Sequence, residues 1–140
     1  MLVCYNPVQI PGVAIEIGWS EGVPQFHRDK RLWLMGGQPE AQLVIVLRWT
    51  TISETPVQQG RGVFEIWERD AGNTPYLKQG GAIFPAPANA ATQVIPITRA
   101  HIGPAHVFSG RNGVNVWNLD VGILRTWASA AIVNVGFQPA

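Results

Sequence analysis

The sequence predicts an α/β domain: a mixed β-sheet with a βαβ core, extended by antiparallel hairpins and closed by a C-terminal helix. Three observations predict it. A period-two stretch from Val13 to Trp19 precedes a helix with its own boundary signals and then the continuously apolar run Leu43 to Leu47. Val63 to Arg69 alternates and ends on the turn signal Asp70-Ala71-Gly72-Asn73. Asp120 to Ile132 has helical spacing. With 140 residues the chain is read as one domain, residues 1–140, long enough to close a single core.

Residues 1 to 12 are expected to be an irregular lead-in, because Pro7 and Pro11 limit regular structure. Along the first strand Val13, Ile15, Ile17 and Trp19 point to one face, and Ala14, Glu16 and Gly18 to the other. Every neighbour of Glu16 on its face is small. An unpaired buried carboxylate is costly, so either a cation reaches Glu16 or that face is open to solvent and ligand. For the following helix, Ser20 and Glu21 suit the start, Pro24 the first turn, and Gly36-Gly37 a left-handed exit. Phe26, Lys30 and Trp33 fall at i, i+4 and i+7, so packing Phe26 and Trp33 on the sheet brings Lys30 to it. Leu43 to Leu47 suits a central strand covered on both faces. Strand, crossover helix and buried strand imply a parallel, right-handed βαβ unit.

Thr50 to Gly62 reads as a polar connection. Val63 to Arg69 is a strand with one wetter face, and Tyr76-Leu77 begins its returning partner. Lys78 to Ala91, with Gly80-Gly81, Pro85 and Pro87, reads as a surface loop. Thr92 to Thr98 is a short edge strand, because Pro96 cannot donate to a ladder. Asn112-Gly113 between Val107-Phe108 and Val114 to Trp117 is a hairpin signal. In the last helix, capped by Asn118 or Asp120, Leu124, Trp127 and Ala131 lie close to one face.

Composition narrows the function classes. Charged residues make up 14% and the formal net charge is +1, so no global basic field draws the chain to nucleic acid or an anionic membrane. Any nucleic-acid contact must be local. The single cysteine, Cys4, excludes an internal disulfide framework and is most simply a small apolar filler. No secretory signal is visible and no apolar run approaches the ~20 residues that span a bilayer, so an intracellular, non-membrane chain is expected. Six tryptophans either build the core or line a contact surface. His101 and His106 lack the helical i, i+4 spacing of a zinc pair, and His27 is read as a surface histidine. No glycine-rich phosphate loop and no serine nucleophile elbow is present.

Glu16-Ile17-Gly18-Trp19-Ser20-Glu21, a helix carrying Arg28-Asp29 and Trp33-Leu34, then Val44 to Leu47 and Phe64 to Glu68 together carry a resemblance. This series is similar to uncharacterised fungal proteins with a glutamate-x-glycine-aromatic-serine segment. Through them it resembles the restriction-endonuclease-like superfamily with its PD-(D/E)XK signature. The likeness covers residues 11 to 69 best, with a weaker echo at Leu119 to Ile132. It implies a nuclease core in which carboxylates hold Mg2+ to activate water, and a lysine supplies positive charge at the developing oxyanion. On this sequence the implied catalytic residues are Glu16 and Lys30, the lysine having moved onto the helix from the position held here by Gly18. The implied metal ligands are Glu16 and Asp29. The aspartate expected after the proline is missing, the pair being Pro11-Gly12.

Each of these residues has a plainer reading beside the implied one. Glu16 is a metal ligand or is paired with Lys30 or an arginine across the crossover. Lys30 is a catalytic cation or a stem lying over Trp33. Asp29 is a second ligand or a solvated partner of a neighbouring base. Arg28 and Arg31, with Lys30, meet nucleic-acid phosphates or form the wet face of the helix. The function expected is a restriction-endonuclease-like domain, either degenerate or retaining metal-dependent phosphodiester hydrolysis on nucleic acid. The alternatives are a non-catalytic module of the same fold that pairs with another chain, through a homo-oligomer or a protein partner, and an all-β barrel with a small-molecule pocket.

Overall fold

A computed structural model describes residues 10–19, 23–53, 57–102, 112 and 114–140. In chain order the elements are β1 (Val13–Trp19), α1 (Val23–Arg31) continuing into a π-helical turn (Leu32–Gly36), β2 (Leu43–Ser53), β3 (Gln59–Arg69) and β4 (Pro75–Phe84). A 3-10 turn (Ala90–Thr92), β5 (Val94–Thr98), α2 (Arg99–Ile102), β6 (Val116–Asp120), α3 (Val121–Asn134) and β7 (Gln138–Pro139) follow. The main sheet runs β1-β2-β3-β4, with β7 pairing the start of β3, while β5 and β6 form a separate pair. β1 lies parallel to β2, in register from Val13↔Leu43 to Trp19↔Trp49. The β2–β3 and β3–β4 pairs are antiparallel. The fold is therefore the expected α/β class, and helices α1 and α3 exclude the all-β alternative.

The sheet is covered on both faces. On one, Leu43, Ile45, Leu47, Phe64 and Ile66 pack with Ile95 and Ile97 of β5 and Val121, Ala128 and Ile132 of α3. On the other, Ala14, Val44 and Val46 pack under Leu34, Phe26 and Trp33. This is why the whole run Leu43 to Leu47 is apolar: none of its residues is more than 5% exposed.

Four local expectations are corrected. The connection after β2 is shorter than Thr50 to Gly62, because Thr50 pairs with Arg61 and Thr51 with Gly60. The loop expected over 78–91 is strand as far as Phe84; Gly81 lies opposite Phe64, whose ring would meet a Cβ there at 2.8 Å. The glycine pair thus admits an aromatic ring and does not mark a turn. Gly37 has φ −92°, so the helix does not leave through a left-handed cap: after the π-helical turn the Gly37 N–H closes an ordinary i→i−4 bond to Trp33 O at 3.0 Å. α3 begins on an Asp120 side chain that accepts from Gly122 N–H at 2.6 Å. Its inward stripe is Val121, Ala128 and Ile132, with Leu124 beside them, while Trp127 is 71% exposed. Arg125 turns the helix this way. Its guanidinium donates to the carbonyls of Ile83 (2.9 Å), Ala82 (3.1 Å) and Ala90 (3.2 Å), and also to the side chain of Gln93. The partner of β6 is β5; Val107, Phe108, Arg111 and Gly113 of the expected hairpin lie outside the described residues.

α2 is held over the end of the sheet by His101. The Thr98 N–H donates to its Nδ1 at 3.1 Å, and Nε2 lies 3.2 Å from Glu68 Oε1, which also takes Lys78 Nζ at 2.6 Å. An Nδ1 that accepts requires the neutral ring. Burial, the larger effect, lowers the His101 pKa below its usual 6.5; Glu68 opposes this and Lys78 reinforces it.

Replacing Arg125 by Met orphans three backbone carbonyls, and urea unfolding is expected to show a loss of about 3 kcal/mol. For His101, the unfolded chain binds the proton more tightly than the folded one. Its contribution is therefore complete above pH 6.5 and declines as the pH falls below that value. His101→Asn keeps an acceptor for Thr98 and should flatten that part of the stability-versus-pH curve.

Candidate functional site

The site grows from the small residues around Glu16. A Cβ on Gly18 would stand 2.7 Å from Phe26 Cζ, so the Phe26 ring rests directly on the β1 backbone. Ala14 is buried with Leu34 in the same cluster. The face carrying Glu16 is therefore mostly the seat of α1 and its π-helical extension, with Glu16 itself at the edge of an open groove. Glu16 is half-buried there, and its Oε1 accepts a hydrogen bond from Trp33 Nε1 at 2.6 Å. A charge-assisted bond of this length offsets much of the desolvation of a carboxylate. The ion pairs of the described residues are Arg48–Glu65, Lys78–Glu68 and His101–Glu68; the expected pairing of Glu16 with Lys30 or an arginine is not among them.

Lys30 comes to the sheet, as the spacing of Phe26, Lys30 and Trp33 predicts, but over a different strand. It is 7% exposed, and its Nζ lies 3.0 Å from the centroid of the Trp67 ring on β3. Its charge therefore rests on an aromatic face and not, as the plainer reading had it, in water. Trp67 Nε1 donates to Glu65 Oε2 at 2.8 Å, and Arg48 Nη2 is 3.5 Å from Glu65 Oε1. The register aligns Glu16, Val46 and Glu65 across three strands on one face, so Lys30 and Glu16 share that face. Glu16 stands on β1, whereas the ring under Lys30 Nζ belongs to β3, on the far side of β2. Burial lowers the Lys30 pKa from its usual 10.5, and Glu65 opposes the shift. A void of about 10 Å³ bounded by Phe26, His27, Lys30, Val46, Arg48 and Glu65 has room for about one water.

Glu16 and Asp29 are brought together on a larger feature. They line one open groove of about 490 Å³, whose other walls are Ile10, Leu32, Trp33, Gly36 and Gly37. Asp29 is half-buried, while Arg28 and Arg31 are exposed. The basic cluster of the helix is thus divided: Lys30 turns inward, and the two arginines face solvent with His27. Among the described residues no group of three His, Cys, Asp or Glu side chains is placed to hold a metal ion. Cys4 and His106 lie outside those residues. No described helix is long and apolar enough to cross a membrane.

Position 12 is closed. A Cβ on Gly12 would lie 1.9 Å from His101 O, inside the backbone of α2. The residues that sequence reasoning missed are Arg48, Glu65 and Trp67. Period two in Phe64-Glu65-Ile66-Trp67 already places Glu65 and Trp67 on one face, and that was the available signal.

Comparison of the chain with protein-family models, with curated proteins and with solved structures finds no match.

Lys30→Met tests the buried cation. The unfolded chain holds this proton more tightly than the folded one, so wild-type stability rises with pH as Lys30 titrates below 10.5. The variant should lose that alkaline rise. At neutral pH its unfolding free energy should stay within about 1.5 kcal/mol of wild type, because an apolar side chain of similar volume replaces a desolvated charge.

Proposed function

We propose that the chain is a restriction-endonuclease-like domain that has lost the acid set for phosphodiester hydrolysis and works as an interaction module. Position 12 carries this reading. The resemblance calls for an aspartate there, and the backbone of α2 leaves no room for any side chain. The parallel β1–α1–β2 unit, with Glu16 in mid-strand and Lys30 delivered to the same face, supports the ancestry. That no Lys30–Glu16 ion pair occurs among the described residues, and that Trp33 engages Glu16 Oε1, support the loss of chemistry. Where magnesium is retained, Glu16 and Asp29 are the residues to hold it, through the groove they share. The ion would supply water activation and charge neutralisation at phosphate. That shared groove is the observation favouring the catalytic reading.

The outer face of α3 supports pairing with another chain. Ile123, Trp127, Ala130 and Val133 are all exposed there, and the helix's one charged side chain, Arg125, is turned inward. A helix that is apolar on both sides ordinarily has cover on both.

Incubating linear duplex and single-stranded DNA with the protein and Mg2+ or Mn2+ should give no cleavage, and calorimetric titration of Mg2+ should give no heat that depends on Glu16. Cleavage that Glu16→Gln abolishes would overturn the proposal. For the pairing surface, Trp127→Ser is expected to change unfolding free energy by no more than about 0.5 kcal/mol, as for an exposed site. In sedimentation velocity it should dissociate any oligomer that the wild type forms.

A further inference from the structure

We infer that the groove between β1 and α1 is a receptor for an arginine side chain presented by an extended peptide segment of a protein partner. This rests on the interaction-module reading and names its ligand. The groove's volume, about 490 Å³, is in the range of small-ligand sites, and its walls from Ile10, Leu32 and Trp33 are apolar. Ile10 and Leu32 are exposed. Among the described residues that line it, the two charged side chains, Glu16 and Asp29, are both acidic. Two carboxylates on the lining favour a cation over phosphate.

The form of the cation follows from the acceptors. Trp33 Nε1 occupies Glu16 Oε1 and fixes the carboxylate, which leaves Glu16 Oε2 to receive a donor. The Asp29 side chain has no hydrogen bond or ion pair to a described residue. Its carboxylate is therefore available from the α1 side. Two acceptors on different elements, set in apolar walls, suit a planar guanidinium with several donors and a weakly hydrated face better than a compact ammonium. The apolar walls then take the methylene stem and a neighbouring apolar residue of the peptide.

The test is titration of the full-length 15N-labelled protein with acetyl-Leu-Arg-Leu-amide, following the Trp33 indole N–H resonance, assigned through Trp33→Phe. A saturable shift is expected. It should be at least tenfold weaker when citrulline replaces arginine, weaker again in high salt, and at least tenfold weaker in Asp29→Asn, a variant on the helix surface whose fold is checked by its unchanged remaining resonances. Equal shifts with arginine and citrulline, or no shift with either, would overturn the inference. So would Mg2+ competing with the peptide at equal or lower concentration. Failure of the peptide with DNA left intact removes this ligand and leaves the interaction-module reading standing; cleavage dependent on Glu16 removes that reading itself.

Discussion

The structure depends on how closely α1 is seated on β1. Phe26 touches the strand at Gly18, where a Cβ would be only 2.7 Å from the ring, and Leu34 packs on the same cluster as Ala14. Interiors are packed densely enough that one methyl group in such a contact must shift the Phe26 ring from its seat. The small residues flanking Glu16 are therefore the condition for a crossover helix to lie flat on a parallel pair. The carboxylate between them is sheltered as a by-product of that packing.

Sheltering sets the electrostatics. Polar groups brought under α1 are stabilised mainly by neutral partners: Glu16 by an indole N–H, Lys30 by an aromatic face, Glu65 by a second indole N–H with Arg48 beyond it. Such partners engage a charge without filling all of a carboxylate's acceptor sites. The opposite side of the sheet follows the same logic with backbone groups, where three carbonyls take the Arg125 guanidinium and join α3 to the end of β4. That arrangement decides which side of α3 faces water. It also leaves Trp127 outside.

Much of the fold was legible in the chain. Period two at Val13 to Trp19, the unbroken apolar run Leu43 to Leu47 and the turn at Asp70 to Asn73 are local signals, and the strands formed where those signals lie. What misled were residues whose local meaning a distant partner overrides. Gly80-Gly81 reads as a turn until Phe64 is placed opposite, and Gly36-Gly37 reads as a left-handed cap until the π-helical turn before Gly37 is seen. In α3, Leu124, Trp127 and Ala131 satisfy helical spacing as well as the true stripe does. Spacing alone does not tell which side Arg125 must face.

By itself the sequence determined the β1–α1–β2 unit with its parallel strands, the β3 strand and turn after it, the last helix, and the delivery of Lys30 to the sheet. Each follows from backbone periodicity and short-range boundary residues. Only the tertiary structure decided that Lys30 rests on Trp67 and Glu16 on Trp33, that Asp29 joins Glu16 in one groove, and that position 12 is closed by α2. The reason is physical: these outcomes are set by contacts between segments far apart in the chain, whose distances of approach no local pattern encodes.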